Sequence, residues 1–104
     1  MNEFNLIGKT VGEIEVKTSE SGTKYATLLL DVQKNYKKKD GDYEHDIIQL
    51  TMFKNLAEEA QSIAENSLLY IKGHVNSNNY TKDNKIYYST NMIADKIEYL
   101  SNLY

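Results

Sequence analysis

The chain contains no cysteine, no proline, no tryptophan and no arginine. Without cysteine, disulfides and thiolate-rich zinc sites are excluded, and a reducing cytoplasm is the expected compartment. Without proline, chain reversals must rest on glycine, serine and asparagine, and glycine itself occurs only 5 times in 104 residues. Without arginine, all 12 basic residues are lysine, so a phosphate would meet a point charge rather than a bidentate fork. No apolar run approaches the length of a bilayer span, so no membrane is expected as a partner. Met1-Asn2-Glu3 does not lead from a basic region into an apolar stretch, and a secretory signal is not expected either. The net charge of −3 counts weakly against a polyanionic partner, although the placement of charge matters more than its sum.

What is present is a series of short alternating segments. Residues 2–8 and 13–18 read as one strand bent at Gly8 and Gly12, where a small barrel turns a corner. Residues 19–23 form a turn cluster. Residues 25–32 place Ala26, Leu28, Leu30 and Val32 on one face. The third strand, residues 44–53, points Ile48, Leu50 and Met52 one way and Ile47, Gln49, Thr51 and Phe53 the other. Leu56, Ala60 and Ile63 then recur at helical spacing, and Asn66-Ser67 is expected to end that helix. Residues 68–75 give a fourth strand, 76–84 a polar loop around Tyr80, 85–94 a fifth strand and 96–100 a last apolar segment. Strand, single helix, strand in the middle of five strands is the order of an all-β, five-stranded OB-fold barrel with one short helix between strands 3 and 4. Residues 1–104 are expected to form a single OB-fold domain, with no repeat or linker.

Lysines and aromatics carry what chemistry the chain has. Lys34, Lys37, Lys38 and Lys39 precede Asp40, Asp42, Glu44 and Asp46, a run that reads as the arms and tip of a long hairpin. Taken alone, such a run is a solvated loop. Nine tyrosines and two phenylalanines make the chain tyrosine-rich. Tyr25, Tyr70, Tyr87, Tyr88 and Tyr99 lie in strand-like segments, where tyrosine is a good strand former or a contact between subunits. Tyr36 lies inside the lysine run, Tyr80 in a stretch with no core to join, and Phe53 on an outward face. Phe53 reads equally as a protein interface or a ligand contact. Aromatics interleaved with cations are what sequence-tolerant binding of single strands needs: rings stack on bases while lysines neutralise phosphates.

The chain resembles the bacterial and phage single-stranded DNA-binding protein family from Asn2 to about Leu100. Asn5-Leu6-Ile7-Gly8 is similar to the family's opening strand, Ala26-Thr27-Leu28-Leu29-Leu30 to its second, Phe53-Lys54-Asn55-Leu56-Ala57-Glu58 to its strand-to-helix junction and Tyr70-Ile71-Lys72-Gly73 to its fourth. The resemblance implies a non-enzymatic protein that coats single-stranded DNA in replication, recombination and repair, as a homodimer or homotetramer. It implies stacking by Tyr36, Phe53 and Tyr80, with Ile47 and Tyr70 as apolar support. Lys34, Lys37, Lys38, Lys54, Lys72 and Lys82 would line the backbone path. Three departures stand out: Ile47 replaces an aromatic near the start of strand 3, lysine, asparagine or serine replaces arginine, and Gly12-Glu13-Ile14 replaces Asp-Pro-Glu. The family commonly continues into a glycine-rich linker and an acidic tip that recruits other proteins. This sequence stops at Ser101-Asn102-Leu103-Tyr104, so tail-mediated recruitment is not expected, as in the short-form members.

An enzyme is not expected. His45 and His74 fall in different strands, and no phosphate-binding glycine loop or nucleophile elbow occurs. The stretch Asp40–Asp46 is rich in carboxylates but lacks the positions of an EF-hand loop, so neither a metal nor another cofactor is expected. The competing reading is a tailless, primosomal-protein-like OB module that binds proteins, since fold alone assigns no ligand.

Overall fold

A computed structural model describes residues 1–101. Residues 102–104, and with them the expectation about how the chain ends, lie outside the described residues. Alternation of apolar and polar side chains builds β1 (Phe4–Thr18), β2 (Lys24–Lys37) and β3 (Tyr43–Phe53). A short helix, α1 (Lys54–Ala60), leads to β4 (Leu68–Lys82) and β5 (Lys85–Ser101). The strands close into a barrel in the order β1-β2-β3-β5-β4, with β4 returning to β1. All pairings are antiparallel except β3 with β5, which meet in parallel at Thr51 and Ile93.

The inward faces are those the period of two dictates. Leu28, Leu30, Leu50, Met52, Leu69 and Ile71 are fully buried, each contributing about 1.5–3 kcal/mol by leaving water. The helix closes the barrel with Ala57 and Ala60, whose small side chains let its backbone approach the core. Gly12, at a φ of 74°, takes the left-handed conformation at the register shift between Val11 and Glu15, which bends β1 around the barrel corner.

Four boundaries depart from the sequence expectation. The helix stops at Ala60 rather than reaching Asn66-Ser67, because Thr10 captures the chain that follows. Its Oγ1 donates to the Ala64 carbonyl at 2.8 Å and accepts from the Ser67 amide at 3.0 Å, and its backbone exchanges hydrogen bonds with Asn66 and Ser67. Ile63 is buried as its spacing requires. Residues 76–84 are not a loop: β4 runs on to Lys82 and pairs residue by residue with β5, reversing through Asp83-Asn84 at φ 51° and 64°. Positive φ at both central residues is the geometry that matches the twist of a two-residue hairpin. Segments 85–94 and 96–100 are one strand, interrupted where the register skips Asp95 between Lys72 and Gly73. β2 and β3 likewise extend into the expected hairpin around Asp40-Gly41-Asp42, where the Lys38 amide bonds the Asp42 carbonyl at 2.6 Å.

Asn2 fastens the base of the β4–β5 arm. Its side-chain amide donates to the Val75 carbonyl at 2.6 Å and accepts from the Val75 amide at 2.8 Å, as a strand residue would. Two residues before Val75, Gly73 has no room for a side chain: a Cβ there would meet the Ile93 carbonyl and the ring of Phe4. Gly73→Ala is therefore expected to lower the unfolding free energy by about 1–3 kcal/mol, the usual range for overpacking. Urea denaturation of the parent and the variant measures it, and an unchanged midpoint would mean that Phe4 and β5 yield freely.

Candidate nucleic-acid interface

Because β3 and β5 touch at one point, the outer surface of the barrel is concave there. Register partners form a row across four strands: Thr27 on β2, Thr51 on β3, Ile93 on β5 and His74 on β4. Beside it, Tyr25 pairs with Phe53 on one side and Asn91 with Asn76 on the other. These side chains line an open cleft of about 920 Å³, bounded by the β1–β2 turn at Ser19 and Thr23 and by the β4–β5 arm. Phe53 is the N-cap of α1, extended at φ −125°, and Lys54 follows at φ 57°. A non-glycine residue in the left-handed region is uncommon. Here it makes the sharp turn that leaves both Phe53 and Lys54 on the cleft wall.

The arm carries the same surface outward. Its ladder is unbroken from Gly73 to Lys82, so His74, Asn76, Asn78 and Tyr80 share one face. Tyr80 stacks on Tyr87 across the arm, with centroids 5.2 Å apart and planes 15° from parallel. That pair lies outward along the arm from Phe53. A second groove, of about 640 Å³, lies at the other end of β2, lined by Lys34, Tyr36, Tyr70, Asn5 and Ile48. The Tyr70 hydroxyl donates to Asn5 Oδ1 at its edge.

The site residues expected from sequence are thus divided. Phe53 and Lys54 line the cleft, and Tyr80 and Lys82 stand on the arm that continues it. Tyr36, Lys34 and Tyr70 line the second groove. Ile47 lies between, on the outer face of β3. The chief candidates are open to solvent, with 59% of Tyr36, 42% of Phe53, 54% of Tyr80 and 57% of Ile47 exposed.

The lysines are less free than the rings. Lys34 pairs with Asp46 at 3.3 Å and Glu44 at 3.9 Å, Lys38 with Asp40 at 3.9 Å and Lys72 with Glu3 at 3.1 Å. Lys34 lies 5.8 Å from the Tyr36 ring centroid, and Lys37 lies 5.4 Å from that of Tyr43. Among the described residues Lys54 and Lys82 form no ion pair. Exposed pairs are worth at most about 1 kcal/mol and exchange readily for a phosphate. The described residues gather no group of three or more histidines, cysteines and carboxylates that would hold a metal.

Sequence reasoning missed Tyr25, His74 and the asparagines of the cleft. For Tyr25 the signal existed: with Ala26 and Leu28 inside, it has to point out beside Phe53. His74, whose Nδ1 lies 2.8 Å from Asp95 Oδ2, owes its partner to the skipped register at Asp95, which no sequence pattern announces.

A closed five-stranded barrel with a helix between strands 3 and 4, and a cleft over strands 2 and 3 between two hairpins, is an OB fold. The same fold is found in a deletion variant of the single-stranded DNA binding protein from Thermus aquaticus, with a TM-score of 0.78 over 99% of this chain and 52% of that one, at 17% identity. Single-stranded DNA-binding protein 1 of Staphylococcus aureus strain Mu50 is 30% identical over 102 residues, 96% of this chain. Single-stranded DNA-binding protein 3 of Listeria innocua is 30% identical over 104 residues, 98% of this chain. The chain spans 65% of the length of each of these two curated relatives. The sequence model of the single-strand binding protein family matches residues 1–100, and the chain belongs to that family.

Lys34 offers a test of the local electrostatics. Hydrogen bonding to Asp46 and then its charge, with a smaller contribution from Tyr36, hold the ammonium above the usual lysine value of 10.5. A raised folded-state value means that the pair's support is complete at neutral pH and is lost only as pH climbs through that value. A side-chain NMR titration is expected to give Lys34 a midpoint above that of an unpaired lysine, falling back in Asp46→Asn. An unmoved midpoint in the variant would detach Asp46 from Lys34.

Proposed function

We propose that this chain binds single-stranded DNA without an enzymatic step, and that it does so as one OB domain acting in the cytoplasm. The observation that carries the reading is the cleft across β2, β3, β5 and β4, lined by Tyr25 and Phe53. This is the face on which OB folds hold oligonucleotides, in a chain of the single-strand binding protein family. Its relatives in Staphylococcus aureus and Listeria innocua are named for the same ligand. Phe53, Tyr80 and Tyr36 stack on bases, Ile47 and Tyr70 give apolar support, and Lys34, Lys37, Lys38, Lys54, Lys72 and Lys82 accompany the backbone. The protein then covers single strands exposed in replication, recombination and repair. No described helix is long and apolar enough to cross a membrane. A protein-interaction module without DNA binding is the less favoured reading, since it leaves the cleft and the family membership without a ligand.

The two grooves lie at opposite ends of β2. Stacking on each aromatic is worth about 1–3 kcal/mol per base. Fluorescence anisotropy with labelled oligo-dT is expected to show tight binding, and a duplex of equal length little. The single-strand affinity falls with salt at a slope of about −0.7 per phosphate contact. Tyr36→Ala with Tyr80→Ala is expected to weaken single-strand binding by a few kcal/mol with the fold retained. Binding equal to the parent's would sink the stacking platform.

Self-association, as a homodimer or a homotetramer, belongs to the same proposal. Val11 and Leu29 are exposed on the outer faces of β1 and β2 and pair with each other across the sheet. An exposed apolar pair on a sheet face is a candidate contact between copies of the chain. Val11→Lys with Leu29→Lys is expected to reduce the mass measured by sedimentation equilibrium to that of one chain. A mass equal to the parent's would remove this face from the assembly.

A further inference from the structure

The face of the arm that runs out of the cleft ends in two rings rather than one. Tyr87 is the register partner of Tyr80, so both lie on the side that Asn76, Asn78 and Asn91 carry into the cleft. Nothing beneath the arm fixes either ring, because residues 75–90 are all exposed. Among the described residues no hydrogen bond or cation holds them. What orients Tyr80 is Tyr87 itself, with centroids 5.2 Å apart and planes 15° from parallel, an offset stack. Two parallel planes lie no further apart than their centroids. A base between them needs about 7 Å, twice the contact distance of carbon atoms, so none fits.

We propose that Tyr87 is a positioning residue for base stacking. It covers one face of the Tyr80 ring and holds the other open at the end of the pair, where a base adds as a third layer. An exposed ring on a ribbon without a core loses rotamer freedom when a ligand stacks on it, and that loss weakens binding. Here the ring is ordered before the strand arrives. The contribution is blind to sequence, since every base has a π-face. It gives Tyr87 a role other than strand former or subunit contact. The inference rests on the single-strand reading above, which a separate outcome of the same experiment addresses.

The test is a double-mutant cycle read by anisotropy with labelled oligo-dT, each variant checked by its thermal melt. Valine replaces the rings because it keeps the strand propensity of the arm while removing the stack. Tyr87→Val is expected to weaken binding about two- to tenfold, the worth of one offset aromatic pair. Tyr80→Val removes the platform and weakens it further, by about fivefold or more. The double variant Tyr80→Val/Tyr87→Val binds no more weakly than Tyr80→Val alone, because Tyr87 acts through Tyr80. Tyr87→Phe keeps the ring and binds as the parent does. Tyr88→Val, on the opposite face of the same strand, also binds as the parent does.

Four outcomes overturn the positioning role and leave single-strand binding standing. Tyr87→Val or Tyr80→Val binding as well as the parent leaves the stack without a function. Tighter binding by Tyr87→Val means that the base competes for the covered face of Tyr80. Losses that add in the double variant mean that Tyr87 touches the strand itself. A loss in Tyr88→Val equal to that in Tyr87→Val assigns the effect to the stability of the arm. Failure of the parent to bind oligo-dT at low salt overturns both readings.

Discussion

Closure of the sheet between Thr51 and Ile93 is the constraint on which the rest of this molecule depends. The β1–β2, β2–β3 and β4–β5 ladders join strands adjacent in sequence, which local pairing alone can make, and β1–β4 adds an antiparallel ladder between the first and fourth strands. The parallel meeting of β3 and β5 is a single register pair, and it requires residues far apart in sequence to be brought together by everything else. Gly73 permits it by letting β4 and β5 lie close, α1 fills the open end with alanines, and Thr10 ties the chain after the helix back to β1. Because that seam is short, the strands diverge on either side of it. The divergence makes the cleft. A barrel sealed by a long β3–β5 ladder would have had no such concavity to hold a ligand.

Much of this was legible in the sequence, and the reasons are particular. Strands β2 and β3 alternate cleanly because one face is core and the other is solvent, so the parity that put Phe53 and Ile47 outside was readable. The arm was not readable: from Asn76 to Lys82 both faces are exposed, so burial imposes no alternation and the stretch looks like a loop. Its strand character comes from pairing with β5 and from Asp83-Asn84 adopting positive φ, a turn in which asparagine and aspartate are tolerated but no glycine announces it. The helix end was hidden for another reason. The residue that terminates it, Thr10, is separated from Ala64 by 54 positions, and no local window contains both.

The site divides along the same line. Tyr36, Phe53 and Tyr80 were singled out because an aromatic among polar residues is conspicuous in one dimension. Their separation into a cleft with an arm and a second groove is a property of three dimensions only. Tyr25 was passed over as a strand former, although its parity with Ala26 places it beside Phe53. The asparagines and the His74–Asp95 pair gave no signal, since each is ordinary until the register of β4 with β5 sets them side by side. The lysines were the least legible, because a cation's neighbours decide what it offers: half of the six selected share a carboxylate.

The arm differs from the barrel in how it resists opening. Two-stranded ribbons are marginal in water, and this one has neither core beneath it nor a third strand beside it beyond its base. Its backbone hydrogen bonds can break locally while the barrel stays shut, so its amides exchange with solvent through fluctuations far smaller than global unfolding. The Asn2 clasp at Val75 and the Tyr80–Tyr87 stack are the points that oppose such fraying, one at the root and one near the tip. An object captured between arm and barrel therefore quenches motion at the segment between those points. Part of its binding free energy appears as protection of the arm rather than as new contacts.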